Sequence, residues 1–368
     1  MAKQINRRKF LQSSVLAGVA GLAATSPVSA LARDKKPQKK ADEVPEIVYP
    51  SFRYNANGKF KILQFTDTHY VSGDSRSARA LKNVEQMLDA EKPDLVIHTG
   101  DVIYGKPAEP SLREILQPIS DRKIPFAVVL GNHDEEYGID RKGVLDVIRS
   151  IPYNVNTEYK GDLYGVTNDI ITLKPSAGGD EVKWALYLFD SNRWSKVKTI
   201  KGYDWIHLNQ IAWYEKYSKK LAEANGGNPV PAFAFFHIPI PEYRDFLKRH
   251  DHRILKGNMG EEVMCSNVNS GLYVKMRELG DVVAMFCGHD HDNDFALYLD
   301  EMFFVFGRFS GCDTVYNNLK PNGCRVIELT EGKQDFVSWI RLYGGEVQQK
   351  LNYPGDFPSS LFKGNRGI

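Results

Sequence analysis

The chain has 368 residues, 42% hydrophobic and 26% charged, with a formal net charge of +2. That composition excludes a disordered, collagen-like or coiled-coil chain, and the length suits one large domain or two ordinary ones. Residues 1–40 carry nine Lys and Arg against one Asp, so the remaining 328 residues are net −6, a balance that argues against a stable nucleic-acid partner.

The front end reads as an export leader. Arg7-Arg8-Lys9 is followed by Phe10-Leu11 and an uncharged stretch to Ala32, which resembles a twin-arginine translocation signal. Its apolar centre, Val15 to Ala24, is rich in Ala and Gly, and Ser13, Ser14, Thr25, Ser26 and Pro27 weaken a membrane-anchor reading. Ala30-Leu31-Ala32 is a small-x-small pattern, so cleavage is expected after Ala32. The expected organisation is a signal peptide over 1–32, a Lys/Arg/Asp/Pro linker over 33–55, one domain over 56–345 and a C-terminal tail over 346–368. The expected location is periplasmic or secreted, with the twin-arginine export machinery as a partner and no membrane span after cleavage.

Along the domain, short β-branched runs alternate with helical patterns. Strands are expected at Phe60–Phe65, Asp94–His98 and Phe126–Leu130, with helices at Ser77–Glu91, Pro110–Ser120 and Arg141–Arg149 between and after them. The rhythm then changes. Asp169–Leu173 and Lys183–Phe189 read as antiparallel strands, Leu208–Ala224 as a long amphipathic helix, and Phe233–Phe236 and Val282–Phe286 as buried strands flanking a helix near Gly271–Leu279. Strands follow at Phe295–Leu299, Met302–Phe306, Cys324–Leu329 and Phe336–Leu342. Two sheets packed face to face with helices outside fit this α/β order. Of the four cysteines, Cys265, Cys287, Cys312 and Cys324, Cys287 lies in an apolar run and reads as a buried thiol, while Cys312 and Cys324 flank a loop and are candidates to pair.

Five polar clusters each follow one of these apolar runs: Asp67-Thr68-His69, Gly100-Asp101, Gly131-Asn132-His133-Asp134, His237, and Gly288-His289-Asp290-His291. Five of the nine histidines fall in them. Ligand sites in α/β sheets collect at the carboxyl ends of strands. A single Gly-Asp or Gly-Asn pair is an ordinary turn, but carboxylate, carboxylate, amide, His and His-x-His at five successive strand ends is a metal-donor set. Oxygen and imidazole donors without a thiolate suit Mn, Fe, Zn or Ni. Seven side chains sharing one carboxylate exceed one tetrahedral ion and fit two. Folding before export lets availability rather than affinity choose the ions, so Mn or Fe is expected in at least one position, with Zn a further candidate.

The order D-x-H, G-D-x-x, G-N-H-D, H, G-H-x-H resembles the calcineurin-like metallophosphoesterases over roughly Phe60 to Leu342. Gly202-Tyr203-Asp204-Trp205-Ile206, Phe236-His237-Ile238-Pro239 and Gly288 to Phe295 resemble the short purple-acid-phosphatase-like branch, whose plant members often carry the word inactive in their names. The resemblance implies a four-layer αββα sandwich of two mixed β-sheets. It implies one metal held by Asp67, His69, Asp101 and His291, and a second by Asp101, Asn132, His237 and His289, with Asp101 bridging. It implies hydrolysis of a small phosphorylated substrate by a metal-bridging hydroxide, with His133 assisting the leaving group. The other reading of His133 is a residue that orients Asn132.

Tyr104 is the departure. Purple acid phosphatases carry Tyr there as a ferric ligand but Gly where this chain has His69, and Ser/Thr protein phosphatases carry Asp there. Metal ligand, neighbour of a ligand and plain packing all remain open for Tyr104, and Asp134 is expected beside the ligands without binding metal. Monoester and diester substrates are not separated by these motifs. A non-catalytic descendant that binds metal or a phosphorylated ligand is the alternative. His98 is expected in the core, His250 and His252 on a solvated helix end, and Asp290, Asp292 and Asp294 solvated in a loop. Trp205, Tyr243 and Asn269 either line a pocket or pack.

Overall fold

The computed structural model describes residues 48–248 and 254–356. The expected leader, its expected cleavage site and most of the expected linker lie outside the described residues, as do His250 and His252. The elements run β1 (Ser51–Arg53), β2 (Lys59–Phe65), α1 (Ala78–Glu91), β3 (Leu95–Thr99), α2 (Ala108–Asp121), β4 (Phe126–Val129), α3 (Arg141–Arg149), β5 (Asp169–Lys174), β6 (Trp184–Leu188), α4 (Leu208–Ala224), β7 (Ala232–Phe235) and α5 (Pro241–Asp245). They continue with β8 (Ile254–Lys256), α6 (Leu272–Leu279), β9 (Val282–Cys287), β10 (Ala296–Leu299), β11 (Met302–Phe306), β12 (Gly323–Thr330), β13 (Phe336–Leu342) and β14 (Val347–Tyr353).

Two mixed sheets result. One has the order β14-β13-β12-β2-β3-β4, the other β1-β5-β6-β7-β9-β11-β10-β8. β2, β3 and β4 are parallel, as are β6, β7, β9 and β11. Parallel neighbours need crossovers, which the helices supply, and this puts helices on the outer face of each sheet. The strand period of two then sorts side chains between layers: Leu95 and Ile97 of β3 face the opposing sheet, whereas Val96 faces α1 and α2. Phe233 of β7 is wholly buried between the sheets and meets Phe336 of β13 edge-on at 5.0 Å; burying such a ring stabilises the sandwich by about 2–3 kcal/mol.

The helices close the outer layers with one apolar face each. α1 contributes Ala80, Val84, Met87 and Leu88, and α2 contributes Leu112, Ile115, Leu116 and Ile119. On the other side α4, α5 and α6 contribute Ile211, Tyr214, Tyr243, Leu272 and Met276. The four-layer αββα order expected from the sequence is therefore the one observed. Among the described residues no helix is long and apolar enough to cross a membrane.

Two expected boundaries move. The segment read as a tail carries β14, which pairs antiparallel with β13, and the end of the expected linker carries β1, which pairs with β5. The four cysteines are free and buried, so the pairing considered for Cys312 and Cys324 is not formed. Both thiols lie in the apolar layer between the six-stranded sheet and α1 and α2; Cys312 Sγ instead donates to the Arg76 carbonyl.

Candidate metal centre

All five motif clusters lie just beyond carboxyl ends of parallel strands: β2, β3 and β4 of one sheet, β7 and β9 of the other. The loops after β2 and β3 run side by side, with the amides of Asp67, His69 and Tyr70 donating to the carbonyls of Gly100, Asp101 and Val102 at 3.0 Å. This lattice of backbone bonds holds Asp67, His69 and Asp101 at φ of 54°, 43° and 52°. His289 has φ 78°. Left-handed backbone at a non-glycine residue costs about 1–2 kcal/mol and persists only where surrounding contacts impose it. Gly100 is required at φ +90°, because a Cβ there would stand 2.6 Å from the Gly131 nitrogen and 2.7 Å from the His237 ring.

The seven expected donors are buried and converge. Asp67, His69 and His291 form one group and Asp101, His237 and His289 another, each able to offer atoms within 4.8 Å of one another. Asp101 Oδ2 lies 3.6 Å from His69 Nε2 and 3.2 Å from His237 Nε2, so its carboxylate stands between the groups. Asn132 Oδ1 lies 3.1 Å from His237 Nε2. His69 Nε2 and His291 Nε2 face each other at 3.0 Å, and His289 Nδ1 is 3.3 Å from His237 Nε2.

The orientation of the rings fits metal ligation. His237 Nδ1 is 2.7 Å from the Thr99 carbonyl and His291 Nδ1 is 2.8 Å from the Tyr316 carbonyl. A carbonyl only accepts, so each Nδ1 carries the proton and donates, and Nε2 faces the centre. Thr66 Oγ1 donates to Asp67 Oδ2 at 2.6 Å, and the His133 amide donates to Asp101 Oδ1 at 2.8 Å. Burial pushes the His69 and His289 rings well below the usual imidazole range, which keeps them neutral and able to ligate. Burial also raises Asp67, whereas at Asp101 the effect of burial is overcome by His237 and His69, which hold the carboxyl well below its usual value. His237 is pushed to about 9, because Asp101 and Asp67 outweigh its burial: the surroundings favour positive charge at this point, and a cation satisfies the same field.

The remaining expected residues surround this group. His133 sits at the rim, half-buried, with Nδ1 2.7 Å from Glu136 Oε2. Tyr104 is 36% exposed, and its ring stands edge-on to both His69 and His133 at 5.0 Å. Asp134 accepts from the amides of Val102 and Gly131 at 2.7 Å, with longer bonds from Asp101 and Ile103, and so pins the loop that carries Asp101. His98 is buried as expected, with Nε2 3.0 Å from Thr68 Oγ1 and a pKa lowered to about 3 by burial.

The solvated-loop expectation for Asp290, Asp292 and Asp294 is corrected: all three are buried and bonded. Asp292 accepts from Asn318 at 2.6 Å, Asp290 from the Met264 amide at 3.2 Å, and Asp294 pairs with Arg308. They knit the loops behind His289 and His291. Tyr243 packs, donating from its buried hydroxyl to the Met285 carbonyl at 2.8 Å. Trp205 and Asn269 line a small cavity with Ile238 and Pro239. Tyr203, whose ring meets His289 edge-on at 4.5 Å, and Glu136 are site neighbours that motif reading missed; both lie within or beside the quoted motifs.

A two-sheet αββα sandwich with two adjoining candidate metal sites at its strand ends defines a metallophosphoesterase fold. The chain belongs to the calcineurin-like phosphoesterase family, whose profile matches residues 60–293. It is 32% identical over 337 residues to "Probable inactive purple acid phosphatase 29" of Arabidopsis thaliana, covering 82% of each protein. It is also 32% identical to "Phosphatase DCR2" of Saccharomyces cerevisiae, covering 83% of this chain and 58% of that protein. In fold it is similar to a dimetal phosphatase from Danio rerio, with a TM-score of 0.55 at 11% identity, covering 80% of this chain and 98% of that one.

Proposed function

We propose that the protein is an exported dinuclear phosphoesterase acting on a small phosphorylated substrate. The observation that carries this reading is the convergence of seven buried oxygen and imidazole donors beside a half-exposed histidine that is not one of them. Asp67, His69, Asp101 and His291 would hold one ion and Asp101, Asn132, His237 and His289 the other, with Asp101 shared. Such ions supply a water of lowered pKa and neutralise phosphate charge.

The chain's own groups do the rest. The His133 amide fixes Asp101 Oδ1, which leaves the other carboxylate oxygen, Oδ2, toward both histidine groups. The His133 ring, at the open edge, is placed to pass a proton to the leaving-group oxygen. Mn or Fe, with Zn a further candidate, suits this donor set. The word inactive in a relative's name favours a binding module instead; the complete donor set and His133 oppose that reading.

Purified protein of known metal content, assayed side by side on aryl phosphate monoesters and diesters, tests the proposal. Asp101→Asn is expected to lose most metal and turnover, and His133→Ala to keep metal but lose turnover. Absence of turnover by metal-loaded wild type on either ester class would favour the binding module.

A further inference from the structure

The loop after β4 reads Asn132-His133-Asp134-Glu135-Glu136. The Glu136 amide donates to the His133 carbonyl at 3.1 Å, a turn that brings the two side chains to the same side. His133 Nδ1 then lies 2.7 Å from Glu136 Oε2. The other carboxylate oxygen of Glu136 accepts from Arg193 Nη2 at 3.0 Å, and Arg193 Nη1 lies 3.3 Å from Glu135 Oε1. Arg193 comes from the loop after β6, on the other sheet. That loop is itself fixed, since the Asp204 amide donates to the Arg193 carbonyl at 2.7 Å and the neighbouring Trp194 stacks on Tyr203 at 4.6 Å.

An ion pair of this exposure contributes little to stability, about 0–1 kcal/mol. Its place is what matters. A carboxylate only accepts, so its bond keeps a proton on Nδ1, and Nε2 is the nitrogen from which the imidazolium form hands its second proton to a leaving-group oxygen, the ring returning to the neutral tautomer protonated on Nδ1. The backbone of the same histidine is held by Asp101, one of the candidate metal ligands.

We propose that Glu136, clamped by Arg193, is a positioning residue for His133, and that the arrangement serves phosphate esters of aliphatic alcohols. Such esters have poor leaving groups, which depend on proton delivery, whereas nitrophenyl esters do not. The inference rests on the phosphoesterase reading for its substrate class but not for the ring's orientation.

The test pairs Glu136→Gln with a leaving-group series and with an NMR measurement of the His133 ring nitrogens in the metal-loaded protein. Glu136→Gln is expected to lower kcat on an alkyl phosphate by about 10–100-fold, the range for partners that orient site residues, with KM unchanged within about twofold. A nitrophenyl ester should lose about twofold at most, and the substitution should add nothing in a His133→Ala background. Glu136→Asp should recover part of the loss, and Arg193→Met should give a weaker loss of the same pattern. The ring spectrum should show Nδ1 protonated in wild type and a mixed or reversed tautomer in Glu136→Gln. Equal losses on both ester types, a loss that persists without His133, or an unaltered tautomer would each overturn the proposal. If wild type turns over no ester, the phosphoesterase reading fails, while the tautomer still decides what Glu136 does.

Discussion

Arg141→Met is expected to be the most damaging single change outside the donor set. Arg141 is buried and forks onto Asp190, with Nε 3.0 Å from Oδ2 and Nη2 2.5 Å from Oδ1. It also donates to the carbonyls of Gly131 and Leu130 at 2.7 and 2.9 Å. The pair therefore ties the end of β6 to the end of β4, directly behind Asn132. Asp190 is held below the usual carboxylate range because Arg141 and backbone amides outweigh its burial. Removing the guanidinium strands a buried carboxylate, which costs about 3–5 kcal/mol. For a chain of this size roughly 2 °C of melting temperature follows each kcal/mol, so a fall of about 6–10 °C is expected. Arg141→Met with Asp190→Leu should recover part of that loss, because the unpaired charge is gone, but not all of it, because the Val166 amide at 2.6 Å and the Asn192 amide at 2.9 Å lose their acceptor. Since the Asp190 pKa is lowered, its stabilisation is full at neutral pH and lost only as pH falls below about 4, its unfolded value. Calorimetry in chelator at pH 7, with metal content measured in parallel, reads both effects. A single variant within 2 °C of wild type, or a double variant less stable than the single, would refute the clamp.

Gly100→Ala should abolish metal binding and cost at least about 2 kcal/mol, since the methyl group meets Gly131 and the His237 ring in a backbone conformation that strains any alanine; metal analysis and urea unfolding check it. His98, lowered to about 3 by burial, is neutral in the fold and charges on unfolding below about 6.5, so stability should fall as pH drops from there toward 3, by up to about 1.4 kcal/mol per pH unit in chelator, and His98→Gln should flatten that slope. Tyr104, edge-on to His69 and His133 at the rim, should give iron-loaded protein no intense visible band; a band lost in Tyr104→Phe would make it a ligand. Replacing residues 1–32 by a general secretory signal should raise Zn or Cu at the expense of Mn or Fe in protein recovered from the periplasm, because the chain would then fold where affinity sets occupancy; equal metal content by both routes would separate the leader from metal choice.

The candidate donor set converges as expected because chemistry restricts which residues can form one. Only a few residue types bind such ions, and a parallel strand delivers them in one place, the first residues past its carboxyl end. Buried strands announced themselves as short apolar runs, as residues 95–97 at the start of β3 and Val282–Cys287 show. β14 did not, because Val347–Tyr353 is an edge strand of mostly polar residues whose burial pattern carries no apolar period. Asp290, Asp292 and Asp294 misled for a related reason: an acidic loop reads as solvated, and the amides and Arg308 that enclose it come from segments 14 or more residues away. The carbonyls of Thr99 and Tyr316 that set two histidine tautomers have no sequence signature, since every residue owns one.

The backbone at the centre shows why such sites are recognisable by composition and opaque to propensity. Asp67, His69, Asp101 and His289 occupy left-handed conformations that local preference assigns to glycine. At about 1–2 kcal/mol each, the strain is comparable to the net stability of a domain. It is sustained by backbone bonds between the β2 and β3 loops, by Asp134 beneath Asp101 and by Arg141 behind Gly131. Two of those supports are charged groups buried in a fold that gains little from burying them alone. What they impose is geometry: relaxing Asp101 toward an ordinary strand conformation would turn its carboxylate away from His69 and His237 together. Backbone strain and the convergence of the candidate donors are therefore coupled through the same few contacts, and a substitution that eases the backbone is expected to stabilise the chain in chelator while lowering the metal content measured after loading.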